Sequence, residues 1–410
     1  MNKLTERRDV NRLIFLCTAT YFISYITRIN YGAIIAEIAK QTGITNTLLS
    51  LALSGQFITY GCGQIISGYF GDRIQPKKLI ASGLLVASLM NLLLPFCANA
   101  MQMAVVWSIN GFAQAFLWPP LMKEMTSLLF AEDCKRATTI VSWGSSLGTI
   151  FVYLISPIVI SLLNWKYVFF IAAACGIGMT FYLSRNFYEI PAMTKAANKS
   201  NGPSRSGREN IKLFFSPVIF LILLAIVLQG ALRDGITVWM PSYIAETYHL
   251  NSAISILTGV LMPIFSIFCM QLTSLLYRKK IKNPLTCAGS LFFIGFTASL
   301  FLAIFTGKST MLSVVFSALL TGSMHGVNLI LICMVPQLFS KTRNVSIISG
   351  IFNACTYIGS TLSSYGTPLI SDKFSWNATI ILWLVIAAVG TILCLLSIRP
   401  WKKFQKNLEV

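Results

Sequence analysis

The chain has few charged residues and very few acidic ones. Of its 410 residues only 11% are charged, 13 are Asp or Glu, and 2 are His. Soluble domains carry about 25% charged residues, so the composition excludes an ordinary soluble protein. The sequence contains no nucleophile–base arrangement and no metal-ligand spacing. We therefore expect a protein that is not an enzyme and uses neither a metal nor a cofactor.

The cysteine pattern excludes two further classes. The ten cysteines are scattered along the chain, and no C-x-x-C motif occurs. Zinc sites and disulfide frameworks need cysteines in pairs or at fixed spacings. We interpret these cysteines as small apolar residues of helices.

Long apolar runs are what the chain has in abundance, since 55% of its residues are hydrophobic. A helix needs about 20 apolar residues to cross the hydrocarbon core of a bilayer. The runs show no alternation of period two, so we predict helices rather than a barrel. The first run is too long for a cleavable signal peptide. Twelve segments have the required length: 13–38, 47–70, 79–98, 101–123, 137–163, 165–185, 216–243, 253–277, 284–306, 310–337, 345–370 and 377–398.

These segments predict an all-α membrane protein with twelve transmembrane helices in two six-helix halves. A polar, turn-rich and Lys/Arg-rich stretch separates the sixth segment from the seventh. We predict an N-terminal half at 1–185, a cytoplasmic linker at 186–213 and a C-terminal half at 214–410. Six plus six helices with a central basic loop is a layout of secondary transporters.

The basic residues indicate the orientation in the membrane. The formal net charge is +19, and most Lys and Arg residues fall in the termini and in alternate loops. On the other side of the membrane we place Lys40, Lys166, Lys308 and Lys373 alone. By the positive-inside rule both termini are cytoplasmic. The positive charge therefore reflects topology and contact with the lipid surface, and we expect a multi-pass protein of the cell membrane that does not bind nucleic acid.

Two arginines interrupt the apolar segments, Arg28 in the first and Arg233 in the seventh. Arg28 comes sixteen residues after Arg12, and Arg233 comes sixteen residues after Pro217, which corresponds to about 24 Å along a helix. Ionisable residues at such a depth are costly and usually functional. Asp234 follows Arg233, but adjacent side chains on a helix diverge, so we predict that Asp234 is a poor partner for Arg233.

This arginine pair predicts the chemistry of the substrate. A guanidinium group binds phosphate oxygens through two parallel hydrogen bonds. Two unpaired arginines in a cavity would bind a dianion and would be costly to occlude without one. We therefore expect a carrier that exchanges one anion for another. A proton relay is less favoured because Asp234 and Glu124 are the main carboxylates within the membrane segments.

Polar and aromatic residues recur along one face of several predicted helices. They either line a water-filled cavity or form hydrogen bonds between helices, and the repeated pattern favours the cavity. The residues in question are Tyr21, Tyr25 and Arg28; Gln56, Tyr60 and Gln64; Asn110, Gln114 and Trp118; Gln229 and Arg233; His325 and Asn328; and Asn353 and Tyr357.

The loop after the second helix carries a motif. The stretch "GYFGDRIQPKK", which begins at Gly68, resembles the signature loop G-x-x-x-D-R-x-G-R-K of the major facilitator superfamily. Gln75 and Pro76 depart from this signature. The resemblance implies that Gly68, Asp72 and Arg73 form a conformational latch, with Asp72 capping helix ends and pairing with arginines.

Further motifs resemble one family within that superfamily, the organophosphate:phosphate antiporters. The stretches "YITRINYG", "YGCGQIISGYFGDR", "GFAQAFLWPPLMK" and "LRDGITVWMPSYIAE" are similar to its first, second, fourth and seventh helices. The resemblance implies a transporter of organic phosphates in which Arg28 and Arg233 bind the phosphate group. It also implies a set of residues around the substrate, namely Tyr21, Tyr25, Tyr60, Gln64, Trp118, His325 and Tyr357.

Three departures from this family leave the substrate open. Gln64 stands where members often carry lysine, Leu147 stands where a histidine occurs, and His325 replaces a common tyrosine. The favoured function is exchange of an organic phosphate for inorganic phosphate by alternating access. A symporter of sugar acids or other carboxylates is one alternative, and a membrane sensor of sugar phosphates is another. We expect a monomer.

Overall fold

A computed structural model describes residues 4–71, 74–186, 216–336 and 345–409. The described residues form helices, turns and bends, with no strand among them. They divide into two compact units, the first comprising 1–200 and 251–260, and the second 201–250 and 261–410. Apart from Asn186, the predicted linker at 186–213 lies outside the described residues, so its boundaries stay a prediction.

Within the residues that the structure describes, the first unit contains nine α-helices, of which three are short. Their bounds are α1 Arg7–Ala33, α2 Ile35–Thr42, α3 Asn46–Gly71, α4 Pro76–Leu93, α5 Ala100–Gln114, α6 Trp118–Leu128, α7 Ala131–Leu162, α8 Trp165–Asn186 and, from the later segment, α10 Ser252–Thr258. The second unit contains α9 Pro217–Tyr248, α11 Leu261–Lys279, α12 Pro284–Phe305, α13 Thr310–Asn328, α14 Val345–Lys373 and α15 Trp376–Glu409.

The two units repeat one scheme of helix packing. In the first unit the main contacts join α1 with α7, α3 with α5, and α4 with α8. In the second they join α9 with α14, α11 with α13, and α12 with α15. Numbered within each half, the first long helix packs on the fifth, the second on the fourth and the third on the sixth. This agreement indicates an internal repeat, in which Arg28 and Arg233 both lie on the first long helix of their unit.

Each of the twelve predicted segments overlaps a helix among the described residues, and the predicted all-α membrane fold is confirmed. The number of twelve transmembrane helices stays a prediction. Among the described residues, nine helical stretches are long and apolar enough to cross a membrane. The apolar side chains of these stretches also pack within each unit, for example Phe169 in α8 and Trp239 in α9, both fully buried. The protein is therefore a multi-pass membrane protein. The orientation of its termini stays a prediction.

Local sequence signals set where several helices begin. The side chain of Asn99 accepts a hydrogen bond from the Gln102 N–H and caps α5. Asn283 caps α12 in the same way and is followed by Pro284 at the first helical position. Such caps satisfy N–H groups that have no partner within the helix, and proline is favoured at this position because it has no N–H. These ends follow from local chemistry alone.

The burial of one carboxyl group does not follow from the local sequence. Glu124 lies on α6 between Leu121 and Met125, which belong to an apolar cluster that also contains Cys17 of α1. Its side chain is fully buried, and neither of its carboxylate oxygens has a hydrogen-bond partner within the described part of the chain. A buried polar group without a partner lowers stability by about 1–3 kcal/mol.

We therefore expect Glu124→Met to raise the thermal stability of the purified protein by several degrees. Methionine fills a similar volume without a polar group to desolvate. The measurement is the midpoint of thermal unfolding in a single detergent, detected by tryptophan fluorescence or by the fluorescence of a thiol-reactive dye. Glu37→Met is the matched control, because buried Glu37 accepts a hydrogen bond from Gln41 at 2.6 Å. A midpoint for Glu124→Met at or below that of the wild type would contradict this assignment.

Candidate functional site

The first unit places Arg28 among aromatic side chains. The guanidinium carbon of Arg28 on α1 lies 3.9 Å from the ring centroid of Tyr60 on α3. It lies 5.7 Å from the ring of Tyr25, one turn earlier on α1. Such distances are typical of cation–π contacts. A stack of this kind uses the face of the guanidinium, whereas phosphate oxygens bind to its N–H edge, so the two contacts are compatible.

The aromatic cluster continues away from Arg28 to α6. The ring of Tyr21 lies 5.1 Å from that of Tyr25 and 4.8 Å from that of Trp118, measured between ring centroids. Five residues that the sequence predicts at the substrate are thus in one contiguous group. The group combines one cation with rings that carry polar tips, which suits an anion attached to a polar organic body.

Amide side chains hold the backbone of α1 next to this group. The Gln56 side chain donates to the carbonyl oxygen of Arg28 at 3.1 Å. Asn110 donates to the carbonyl oxygen of Thr27 at 3.1 Å, and Gln114 donates to the Thr27 hydroxyl at 2.9 Å. All three amides are buried. The structure therefore favours interhelical hydrogen bonds over cavity lining for these three residues, which join α3 and α5 to α1 at Thr27 and Arg28.

Gln64 differs from those amides. It lies on α3 one turn after Tyr60, where related carriers often have lysine. Its amide nitrogen is buried and has no hydrogen-bond partner among the residues that the structure describes. An amide with an unused donor can bind an oxygen of an anion, so its predicted place at the substrate stays a proposal with this support.

The prediction for Arg233 and Asp234 in the second unit is wrong. Their side chains form a bidentate ion pair, with Arg233 Nε donating to Asp234 Oδ1 at 2.7 Å and Nη2 donating to Oδ2 at 2.7 Å. Adjacent side chains do leave a helix in different directions. The long arginine stem nevertheless curves back far enough for its planar end to meet the neighbouring carboxylate. Arg233 is therefore not an uncompensated cation.

Residues from two other helices surround this pair. Ser360 on α14 donates its hydroxyl hydrogen to Asp234 Oδ2 at 2.5 Å. His325 on α13 lies close enough to interact electrostatically with both Arg233 and Asp234. Tyr357 precedes Ser360 by three residues and so lies on the same side of α14. The sequence predicted His325 and Tyr357 at the site, whereas it offered no signal for Ser360.

The predicted latch is only partly within the described structure. Gly68 lies in α3, but Asp72 and Arg73 lie outside the described residues. The role of these three residues as a latch therefore stays a prediction.

Comparison with known proteins identifies the family. The model of the Major Facilitator Superfamily matches residues 17–364 of this chain, which is most of its length. The chain belongs to the major facilitator superfamily. This superfamily consists of transporters rather than enzymes, in agreement with the sequence-based expectation.

Two curated relatives align with nearly the whole chain and a third with more than half of it, all at low identity. A "Probable hexose phosphate transport protein" of Chlamydia pneumoniae is 20% identical over 97% of this chain and 92% of that protein. The "Membrane sensor protein UhpC" of Salmonella typhimurium is 22% identical over 92% of this chain and 88% of that protein. The "Glycerol-3-phosphate transporter" of Bacillus subtilis is 25% identical over 57% of this chain and 56% of that protein. These relatives confirm the predicted resemblance to organophosphate:phosphate antiporters.

Solved structures confirm the fold. A bacterial homolog of the human lysosomal transporter Spinster superposes with a TM-score of 0.82 at 15% identity, over 97% of this chain and 98% of that chain. A D-xylose-proton symporter gives a TM-score of 0.74 at 13% identity, over 96% and 97% of the two chains. At such identities the likeness concerns the major facilitator fold alone.

Proposed function

We propose that the protein transports a phosphorylated organic anion in exchange for inorganic phosphate. Arg28 binds phosphate oxygens in the first half and Arg233 does so in the second, while the tyrosines and Trp118 contact the organic part. The observation that carries the proposal is the Arg28 guanidinium, fixed 3.9 Å over the ring of Tyr60 within the membrane segments. The names of the relatives, hexose phosphate and glycerol-3-phosphate transporters, support a phosphorylated substrate.

The charges of the site support exchange less strongly than the sequence predicts, because one of the two arginines is compensated by a carboxylate. Arg28 keeps its positive charge at physiological pH, and its guanidinium lies against the ring of Tyr60. Arg233 is compensated by Asp234. Exchange is therefore proposed mainly on the resemblance of the sequence motifs to those of organophosphate:phosphate antiporters.

A counterflow screen in proteoliposomes tests this function. Vesicles that contain the purified protein are preloaded with phosphate, with phosphorylated metabolites or with carboxylates, and the uptake of labelled external phosphate is followed. We expect uptake only into vesicles preloaded with phosphate or an organic phosphate. Equal uptake into vesicles without an internal anion would contradict exchange. Counterflow of carboxylates without phosphate would instead identify a carboxylate carrier.

A sensor is the second candidate because a relative over most of the chain is named a membrane sensor protein. A sensor and a carrier of this family use the same anion-binding chemistry. They differ in flux, so binding of an organic phosphate to the purified protein without counterflow in vesicles would identify the sensor. Counterflow at the rates of a carrier would exclude it.

A further inference from the structure

The Asp234 carboxylate binds the N–H edge of the Arg233 guanidinium, to which a substrate anion would otherwise bind. The carboxylate forms two parallel hydrogen bonds with the guanidinium, to Nε and to one terminal nitrogen. Phosphate binds arginine through the same kind of bidentate contact. Phosphate can therefore make that contact with Arg233 only if the Asp234 carboxylate gives up at least one of its bonds.

The rest of the surroundings keep the carboxylate in place. Ser360 of α14 adds a third hydrogen bond to it, and the Asp234 side chain is only 17% exposed. A carboxylate that loses an arginine partner at such a site, while a phosphate dianion takes its place, would stand next to a like charge. Like charges at short distance favour the neutral, protonated carboxylic acid.

Among the described residues, few other titratable groups lie near Asp234. Apart from Arg233, α13 contributes His325, and the π-helical stretch Leu329–Met334 that follows α13 contributes Cys333, which interacts electrostatically with Arg233. From α14 come Tyr357 and, twelve residues beyond Ser360 or about 18 Å along the helix, Asp372. Between Trp376 and Ile398, α15 carries only the thiol of Cys394. Among the described residues around this ion pair, Asp234 is therefore the carboxylate that can take up a proton.

We propose that Asp234 couples anion binding at Arg233 to the uptake of one proton. This inference rests on the proposed function, since it assumes that Arg233 binds phosphate. Phosphate oxygens replace the carboxylate on the guanidinium, and an Asp234 oxygen then forms an O–H bond with a proton from the solvent. When the anion leaves, Asp234 releases that proton and pairs with Arg233 again. The site thus accepts a dianion while its charge changes by only one unit.

This coupling is compatible with exchange and adds a property to it. Inorganic phosphate and the organic phosphate would each be accompanied by the same proton, so that balanced exchange moves no net proton. Binding, in contrast, becomes pH-dependent, because each proton taken up on binding makes the affinity rise as the pH falls. The dependence arises from the protein and adds to the titration of phosphate itself.

Proton uptake on phosphate binding tests the proposal. The full-length protein in detergent is titrated with inorganic phosphate in a calorimeter at one neutral pH, in two buffers with different ionisation enthalpies. We expect the wild type to take up about one more proton per phosphate than Asp234→Asn, as linkage requires, because the titration of phosphate itself is common to both. Glu246→Gln is the control: Glu246 lies on the same helix, accepts a bond from Trp376 Nε1 at 2.7 Å, and should keep the wild-type proton number.

Each outcome decides between the two proposals. Equal proton numbers for the wild type and Asp234→Asn, with phosphate bound by both, would overturn the coupling and leave the proposed function intact. A wild-type protein that binds neither phosphate nor an organic phosphate would overturn both.

Ser360→Ala gives an independent test should Asp234→Asn not fold. Without the Ser360 hydroxyl the ionised carboxylate loses a donor, so proton-linked phosphate binding should extend to higher pH than in the wild type. An unchanged pH profile of phosphate affinity would contradict the proposal, because a purely structural serine would weaken binding at every pH alike.

Discussion

Arg28→Lys should lower phosphate exchange by about ten- to hundredfold while the protein still folds. Lysine keeps the charge but has no planar fork, so it loses the second parallel hydrogen bond and the stack on the Tyr60 ring. A hydrogen bond to a charged group is worth about 1.5–3 kcal/mol, and each 1.4 kcal/mol is tenfold in affinity. The measurement is the initial rate of labelled phosphate uptake into phosphate-loaded vesicles, at a substrate concentration below saturation.

Arg12→Lys is the matched control for this experiment. Arg12 lies on the same helix α1, sixteen residues before Arg28, and its exposed side chain donates to Asn186 Oδ1 at 3.2 Å. The same chemical change there should leave phosphate exchange at the wild-type rate. If Arg28→Lys also exchanges phosphate like the wild type, Arg28 does not bind the anion through its fork.

Gly359→Ala should remove most of the folded protein. Gly359 on α14 lies against α9, where an added Cβ would overlap the carbonyl oxygen of Val227. On the facing helix an added Cβ at Gly230 would overlap the carbonyl oxygen of Thr356. Small residues on both sides thus allow the two backbones to approach, as is typical of membrane helix pairs. A backbone atom cannot rotate away as a side chain can. We therefore expect the free energy of unfolding to fall by at least about 1–3 kcal/mol.

Gly366→Ala separates this contact from a general effect of alanine. Gly366 lies on the same helix seven residues later, and no atom of another residue lies within 4 Å of an added Cβ there. The readout is the monodisperse fraction in size-exclusion chromatography, together with the unfolding midpoint. Gly366→Ala should match the wild type or exceed it, since alanine favours helix over glycine. Equal yields of Gly359→Ala and Gly366→Ala would show that the close approach is not needed.

The Gly359 contact also concerns the proposed proton-binding residue. Ser360 follows Gly359 directly and bonds to Asp234, so the distance between α9 and α14 sets that hydrogen bond. Any residual folded Gly359→Ala protein should therefore show an altered proton number on phosphate binding. The packing of two helices and the charge state of one carboxylate are linked at this point.

The sequence by itself determined the fold class and the residues that carry the charge. Apolar length is a local property, and each of the twelve segments predicted from it overlaps a helix in the described part of the chain. Arg28 and Arg233 stand out because any charge within an apolar segment is costly wherever the helices pack. The aromatic partners Tyr25 and Tyr60 could be predicted from helical spacing and from the family motifs.

Only the tertiary structure decided which partner each polar group has. The Arg233–Asp234 pair depends on how the long arginine side chain curves. The burial of Glu124 depends on which face of α6 meets α1. The role of Gln56 depends on the distance between its side chain and the Arg28 carbonyl group. None of these follows from spacing along one helix, because each arises from contacts between residues far apart in the chain or from the conformation of a flexible side chain. The sequence therefore shows that Arg233 is present, whereas only the tertiary structure shows that its charge is compensated by Asp234.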